Sequence, residues 1–510
     1  MKNSFNEFGN IADKYVLAAD IPAVKKKSGI KRFLGVAACL VLLAGATFGV
    51  HRFLIPHTPH GVNGGPGTLP PDSDVSTTAA AAQSGSADFL SSAVAYPALQ
   101  AFPTYPSETA FIREDGSLDY DAFETARKAW ENAQVARKHT AASYTEGLSA
   151  FTEKSVKEFV LKNAEKNTVY SPLNIYLALA MSAELTNGNT RAQLLELLGA
   201  ENIESLRQNA QNLFNKTYCN DGMYICLPAN SIWLNESVRC NETTLHTLAD
   251  IYKAYSFTGK PGSDEYNAAL QNWLNFATGD LLKDSVRNIE MAPETLLTLV
   301  STLYLSAKWQ TEFGENNETR AFHAPSGDRE LEFMLREEQT DYYYADDFAA
   351  KQVQIENGGY LWFILPDEDK TVSDVLSGDT FYRFIKDPFS WEQKTWCYVK
   401  MKVPKFDISS DTDLKEGLRA LGVTDLFDGS RSDFTPTAPT ASGIFLKKVQ
   451  HCARVAIDEK GITAGALTVM QYCGSAMPSN EVDFIVDRPF VFAVTDSDGS
   501  VLFIGTVNEP

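Results

Sequence analysis

Glu459-Lys-Gly-Ile-Thr-Ala-Gly-Ala-Leu-Thr-Val-Met-Gln-Tyr-Cys-Gly-Ser-Ala-Met477 is a small-residue run punctuated by glycine, and Asp487-Arg-Pro-Phe490 follows it. Ala464, Gly465 and Ala466 carry almost no side-chain volume, whereas Thr463, Thr468 and Val469 favour strands. The same residues therefore suit an exposed loop and a buried strand, which is the composition of a switch. An ordinary surface loop ahead of a C-terminal strand fits the composition equally well, so the flanking sequence has to decide.

Working outward, Thr295–Tyr304, Gln352–Leu365, Tyr398–Val403 and Phe490–Val507 are apolar, β-branched runs that read as strands. The region before them reads as helices: Ser155–Asn163, Leu173–Ala183, and Thr190–Leu198 with Gly199 as its C-cap. Tyr120–His139 has helical spacing in Phe123, Ala126, Trp130 and Val135 and is expected to pack on the main domain. Helices first and strands afterwards predict an α+β fold of the multidomain α/β type, rather than a doubly wound sheet. The expected divisions are a basic tail over 1–32, an apolar segment over 33–55, a Pro/Gly/Ser/Ala-rich stalk and lead-in over 56–120, and one large domain over 121–510.

With 510 residues, 44% hydrophobic and 11% aromatic, the chain has ample material for a core. Its formal charge of −20 is spread along the sequence and argues against a nucleic-acid partner. The seven cysteines (39, 219, 226, 240, 397, 452 and 473) form no CxxC, so neither a zinc ribbon nor a disulfide framework is expected. Cys219 and Cys226 can pair only if their segment turns back. The seven histidines form no HExxH, and no metal or cofactor is predicted.

The exception to the acidic pattern is the N-terminus, where Lys25-Lys-Lys27 and Lys31-Arg32 precede the uncharged run Phe33–Val50. As a helix this run would be about 27 Å long, enough for a bilayer core, and its positive flank predicts a single-pass cell-membrane anchor with the N-terminus inside. Ala44-Gly-Ala46 resembles a signal-peptidase site, which would make the protein secreted, and Val36-Ala-Ala-Cys39 resembles a lipoprotein box with too short an apolar lead. Either way the bulk of the chain is expected to be extracellular, in a setting that suits a bacterial surface.

A series of motifs then points to a family. Asn167-Thr-Val-Tyr-Ser-Pro-Leu-Asn-Ile175, Ala178-Leu-Ala-Met181 and Thr190-Arg-Ala-Gln193 come first. Leu299-Val-Ser-Thr-Leu-Tyr-Leu-Ser-Ala-Lys-Trp309 with Phe313, Val403-Pro-Lys-Phe406, Asp413-Leu-Lys415 and Leu421-Gly-Val-Thr-Asp-Leu-Phe427 follow. Leu446-Lys-Lys-Val-Gln-His451, Glu459-Lys-Gly461, Arg488-Pro-Phe490 and Leu502-Phe-Ile-Gly505 complete the order. Each alone is weak, but in this sequence they make residues from about Tyr144 to Pro510 resemble a serpin, a serine protease inhibitor fold.

The resemblance implies a single domain of helices around a large central sheet, with an exposed reactive loop that enters the sheet as an extra strand after a protease cuts it. It implies a hinge at Glu459, Lys460, Gly461, Ile462, Thr463, Ala464, Gly465, Ala466, Leu467 and Thr468, a sheet-opening polar cluster of Ser171, Asn174, Ser301 and His451, and Trp309 beneath the insertion point. Ser301 stands where most members have Asn. By spacing from Gly461 to Phe484, the cut falls between Ser475 and Ala476; a register shift of two would present Met477 instead. A small uncharged Ser475 suits a shallow elastase-like pocket, so an elastase-like serine protease is the expected partner of a monomer. In the inserted strand Ile462, Ala464, Ala466, Thr468, Met470 and Tyr472 would share one face, and neither face carries a charge. Ile462 and Leu467 are bulkier than the inhibitory pattern and would slow insertion, which keeps open a non-inhibitory serpin acting as substrate, binding or scaffold protein. An enzyme with Ser475 or Cys473 as nucleophile is disfavoured, because no GxSxG elbow holds a base beside either.

Overall fold

A computed structural model of the chain describes residues 36–44 in backbone only, most of 93–119, and from 120 onward all but 139–144, 222–223, 279–286, 288, 315, 357, 441–442 and 463–479. The helices α1 (Tyr120–Lys138), α2 (Thr145–Phe159), α3 (Pro172–Leu185), α4 (Gly188–Leu198) and α5 (Ile203–Thr217) precede most of the strands. α3 is apolar on all sides, a composition stable only in full enclosure, and every one of its residues is buried. Ser171 caps it and Pro172 opens it, where a missing N–H costs nothing. α4 ends at Gly199 with φ 65°, the left-handed C-cap expected from its sequence.

The strands are β1 (Val36–Ala44), β2 (Ala93–Ala95), β3 (Thr168–Tyr170), β4 (Cys219–Asn220), β5 (Tyr224–Asn235), β6 (Ala254–Gly259), β7 (Leu297–Lys308), β8 (Glu318–Ala324) and β9 (Gly327–Tyr344). They continue as β10 (Phe348–Gln354), β11 (Tyr360–Pro366), β12 (Lys394–Pro404), β13 (Phe406–Asp413), β14 (Lys448–Asp458), β15 (Gly461–Ile462), β16 (Glu481–Ile485), β17 (Phe490–Thr495) and β18 (Val501–Val507). In the first sheet β13 pairs with β14, then come β1 and β15, then β7, β5, β6 and β2. The second runs β16-β12-β9-β10-β11-β17-β18-β3. α3 packs under the first sheet and against β18, so one core joins helices and both sheets.

Several expected elements differ in detail. The run Gln352–Leu365 is two strands, because Gly358-Gly359 turns the chain between β10 and β11. Phe490–Val507 is likewise a hairpin, β17 and β18. β5 and α6 (Glu242–Ile251) and α7 (Asp264–Ala277) carry no expectation from sequence. The segment Cys219–Cys226 does turn back, bringing the two cysteines opposite one another in β4 and β5, and no disulfide joins them.

The N-terminal expectation needs correction. Val36–Ala44, the centre of the run that reads as a membrane helix, is a strand paired on both sides. Among the described residues no helix is long and apolar enough to cross a membrane. An uncharged apolar run satisfies its backbone equally well by helical bonds in a bilayer or by two flanking strands in a sheet interior, and hydropathy does not separate these. Part of the expected stalk and lead-in also lies on the body. β2 pairs with β6, Tyr105 N–H donates to Asp221 O (2.8 Å), and Trp130 of α1 meets the Tyr105 ring at 5.1 Å.

Gly505 shows how tightly the second sheet closes. A Cβ there would lie 1.9 Å from the Thr168 carbonyl oxygen of β3. Gly505→Ala is expected to destabilise by about 1–3 kcal/mol or more, read as a lower denaturation midpoint in urea.

Candidate functional site

The ends of β7 and β14 define a slot. β7 and β14 run parallel to one another, and two strands antiparallel to both lie between them end to end, filling both ladders. At the mouth is β15, with Gly461 opposite Lys308 and Asp458, and Ile462 opposite Ala307 and Ile457. Below it is β1.

The hinge is fastened from several directions. Trp309, fully buried, donates from Nε1 to the Asp458 carbonyl (2.8 Å), while its own N–H donates to Lys460 O (3.0 Å). Phe313 N–H donates to Glu459 O (3.0 Å) and its ring meets Trp309 edge-on at 6.2 Å. Asp458 Oδ1 accepts from the N–H groups of Lys460 (2.8 Å) and Gly461 (3.1 Å), a turn that points the chain back into the slot. Glu459 takes a hydrogen bond from Asn317 Nδ2 (2.6 Å) and an ion pair from Lys405 (2.6 Å). Burial alone would raise the Glu459 pKa, but Asn317 and Lys405 outweigh it and hold the carboxyl below its ordinary value. Asp458 is pushed up by burial despite its two backbone donors.

Ile462, expected to impede insertion by its bulk, is already seated between β7 and β14 with no exposed surface. Its side chain is part of the core, so size is no barrier at this first position. Thr463, Ala464, Gly465, Ala466, Leu467 and Thr468 of the hinge, and Ser475, Ala476 and Met477 of the expected cleavage site, lie outside the described residues.

The polar cluster sits midway along the slot, and the structure brings all four expected members together. Ser171 Oγ donates to Leu502 O (2.7 Å) and accepts from the Asn174 N–H (3.3 Å). The Ser171 N–H donates to His451 Nε2 (3.2 Å), and the Tyr170 ring stands edge-on to His451 at 5.3 Å. Asn174 Nδ2 donates to Ser301 O (3.3 Å). Ser301 Oγ lies 2.5 Å from Asn174 Oδ1 and 2.7 Å from Asn230 Oδ1, and a hydroxyl donates only once, so it can serve either side. Asn230, absent from the sequence expectations, explains why a serine suffices at 301. It is the cross-strand partner of Ser301 and fills the reach that a longer side chain would have. A single amide beside Ser231 gives no periodic signal by which the sequence could have pointed to it.

His451 is buried, and desolvation pulls its pKa from 6.5 to about 3. Its Nε2 accepts a bond and therefore carries no proton, while Nδ1 has no hydrogen-bond partner among the described residues. No group of three or more His, Cys, Asp or Glu among the described residues is arranged to hold a metal ion.

Trp309→Ala removes a fully buried indole and the Asp458 bond together. A loss of about 3–5 kcal/mol is expected from the cavity alone, measured by chemical denaturation.

Comparison with known proteins agrees with this geometry. The family described as Serpin (serine protease inhibitor) matches residues 146–510. An uncharacterized serpin-like protein of Methanosarcina acetivorans is 26% identical over 367 residues, covering 69% of this chain and 83% of that protein. The human leukocyte elastase inhibitor is 26% identical over 365 residues, covering 68% and 94%. Among solved structures, the thermophilic serpin tengpin in its native state superposes with a TM-score of 0.65 at 25% identity, covering 72% of this chain and 95% of tengpin.

Proposed function

Because the chain belongs to the serpin family, we propose that it is a single-use inhibitor of elastase-like serine proteases. The protease attacks the bond between Ser475 and Ala476, the acyl-enzyme forms, and the loop beyond Gly461 enters the slot between β7 and β14 before water can release the protease. The observation that carries this reading is β15: Gly461–Ile462 is already paired with both walls of the slot, in the direction an inserting loop must run. An inserted strand makes about a dozen ladder bonds worth roughly 0.5–1.5 kcal/mol each, on the order of 10 kcal/mol before ordering costs, and from this the bonds of β1, which it replaces, are subtracted.

The elastase-like assignment is supported by the small Ser475 side chain and by the likeness to a leukocyte elastase inhibitor. The hinge is uncharged and free of proline from Ile462 to Thr468, which favours insertion. Leu467 is the position that favours the second reading, a serpin that is cut but does not trap, since a bulky residue there slows the race against deacylation. Incubation with pancreatic or neutrophil elastase followed by a denaturing gel separates the two. The inhibitor gives a covalent adduct that survives SDS; cleavage without an adduct across all serine proteases tried overturns the reading.

A further inference from the structure

The strand that fills the slot below Ile462 is the N-terminal segment β1. It runs antiparallel to both β7 and β14, as β15 does, so the two strands lie head to tail in one groove. Their registers mesh. With Ile462 opposite Ala307 and Ile457, continuation of the loop puts Ala464 opposite Leu305 and Gly465 opposite Tyr304 and Arg454. Those places are taken: Val36 stands opposite Leu305, and Ala37 opposite Tyr304 and Arg454. Carried to its end, the correspondence lays Val36–Ala44 over Ala464–Tyr472 residue for residue, with Leu40 opposite Ser301 and His451 at the level of the polar cluster.

The segment is suited to the place. Val36-Ala-Ala-Cys-Leu-Val-Leu-Leu-Ala44 has no charge, proline or glycine, whereas its counterpart Ala464-Gly-Ala-Leu-Thr-Val-Met-Gln-Tyr472 carries a glycine and a glutamine. Its neighbour β7 is buried on both faces from Leu297 to Leu303, and a strand covered on both faces favours a continuous apolar run. The same chain can supply it. β1 and β2 are separated in the sheet by β7, β5 and β6, about 19 Å at ordinary strand spacing. Residues 45–92 join them, a length of chain that reaches several times as far.

We propose that Val36–Ala44 is a resident occupant of the insertion slot, standing in for the reactive loop in the loop's own register, and that it must leave before the loop can enter. Its consequence for protease trapping rests on the inhibitor reading above. Release of β1 then gates insertion, and a β1 held in place leaves a serpin that is cleaved as a substrate.

The register supplies the test. Cys39 stands opposite Cys452, and directly opposed residues on antiparallel neighbours are within disulfide range. The full chain is treated with diamide, which takes two electrons and two protons from the two thiols and is reduced to its hydrazine as the S–S bond forms. After denaturation and non-reducing tryptic digestion, mass spectrometry is expected to find the peptide 33–52 linked to the peptide 449–454 within monomers. The oxidised chain is then expected to be cut by elastase without forming an adduct, and dithiothreitol to restore the adduct. Cys39→Ala and Cys452→Ala chains should form no such link and trap elastase with or without diamide. Absence of the link, its appearance only between two chains, or undiminished trapping by the linked chain would overturn the proposal. Failure of the reduced chain to trap any protease, with the link present, overturns the inhibitor reading instead and leaves β1 as the occupant.

Discussion

Replacing Ser475 by Arg is expected to move inhibition from elastase to trypsin. A guanidinium cannot enter a shallow apolar specificity pocket without being stripped of water and left unpaired, whereas a trypsin pocket offers it a buried carboxylate in bidentate geometry. Discrimination built on a buried polar partner is large, so the rate of adduct formation should fall by at least about 100-fold with elastase and rise by at least as much with trypsin. Progress curves with both proteases measure this. If Met477 rather than Ser475 occupies the pocket, the elastase adduct persists in the Ser475→Arg protein, which would relocate the cleaved bond. The substitution changes an exposed-loop residue by expectation and leaves Trp309, the hinge and the polar cluster untouched.

The second large effect is the response to acid, and its sign follows from His451. The folded pKa of about 3 lies below the ordinary value of 6.5, because burial disfavours the imidazolium. As pH falls below about 6.5 the unfolded chain binds a proton that the folded chain refuses, so stability present above 6.5 is lost progressively down to about 3. At one unit per 1.36 kcal/mol the loss reaches about 2–3 kcal/mol at pH 4.5. Protonation at Nε2 also breaks the bond from the Ser171 N–H, level with Leu40 in the middle of the slot between β7 and β14. His451→Gln keeps a polar group and removes the titration. Urea denaturation at pH 7 and pH 4.5 should show a smaller acid loss in the variant than in the parent; equal losses would remove His451 as the cause.

How much of this was legible in the sequence varied with the kind of signal. The polar cluster of Ser171, Asn174, Ser301 and His451 was legible only through the family resemblance, since no spacing joins residues so far apart in the chain; in the fold its members lie together. Trp309 was legible in the same way. Asn230 was not, because one amide within a strand gives no periodic signal and its role depends on being the cross-strand neighbour of Ser301. β5 was missed since Pro228 lies within it, a residue that argues against a strand with neighbours on both sides. The N-terminal segment was legible as apolar and misleading as to partner. Hydropathy records that Phe33–Val50 avoids water, and only the pairing of Val36–Ala44 with β7 and β14 says what replaces the water. Ile462 looked obstructive beside the small residues that follow it; with Ile457 and Ala307 as neighbours it is a core residue.

In the proposed inhibition, cleavage at one bond leaves the protease acylated on a loop that has entered the slot. Intact-mass spectrometry of the denatured product of the full chain with elastase tests it most directly. One species with the mass of residues 1–475 joined to the protease is expected, together with a released peptide beginning at Ala476. A free 1–475 fragment with no adduct, or a released peptide beginning elsewhere, would contradict it.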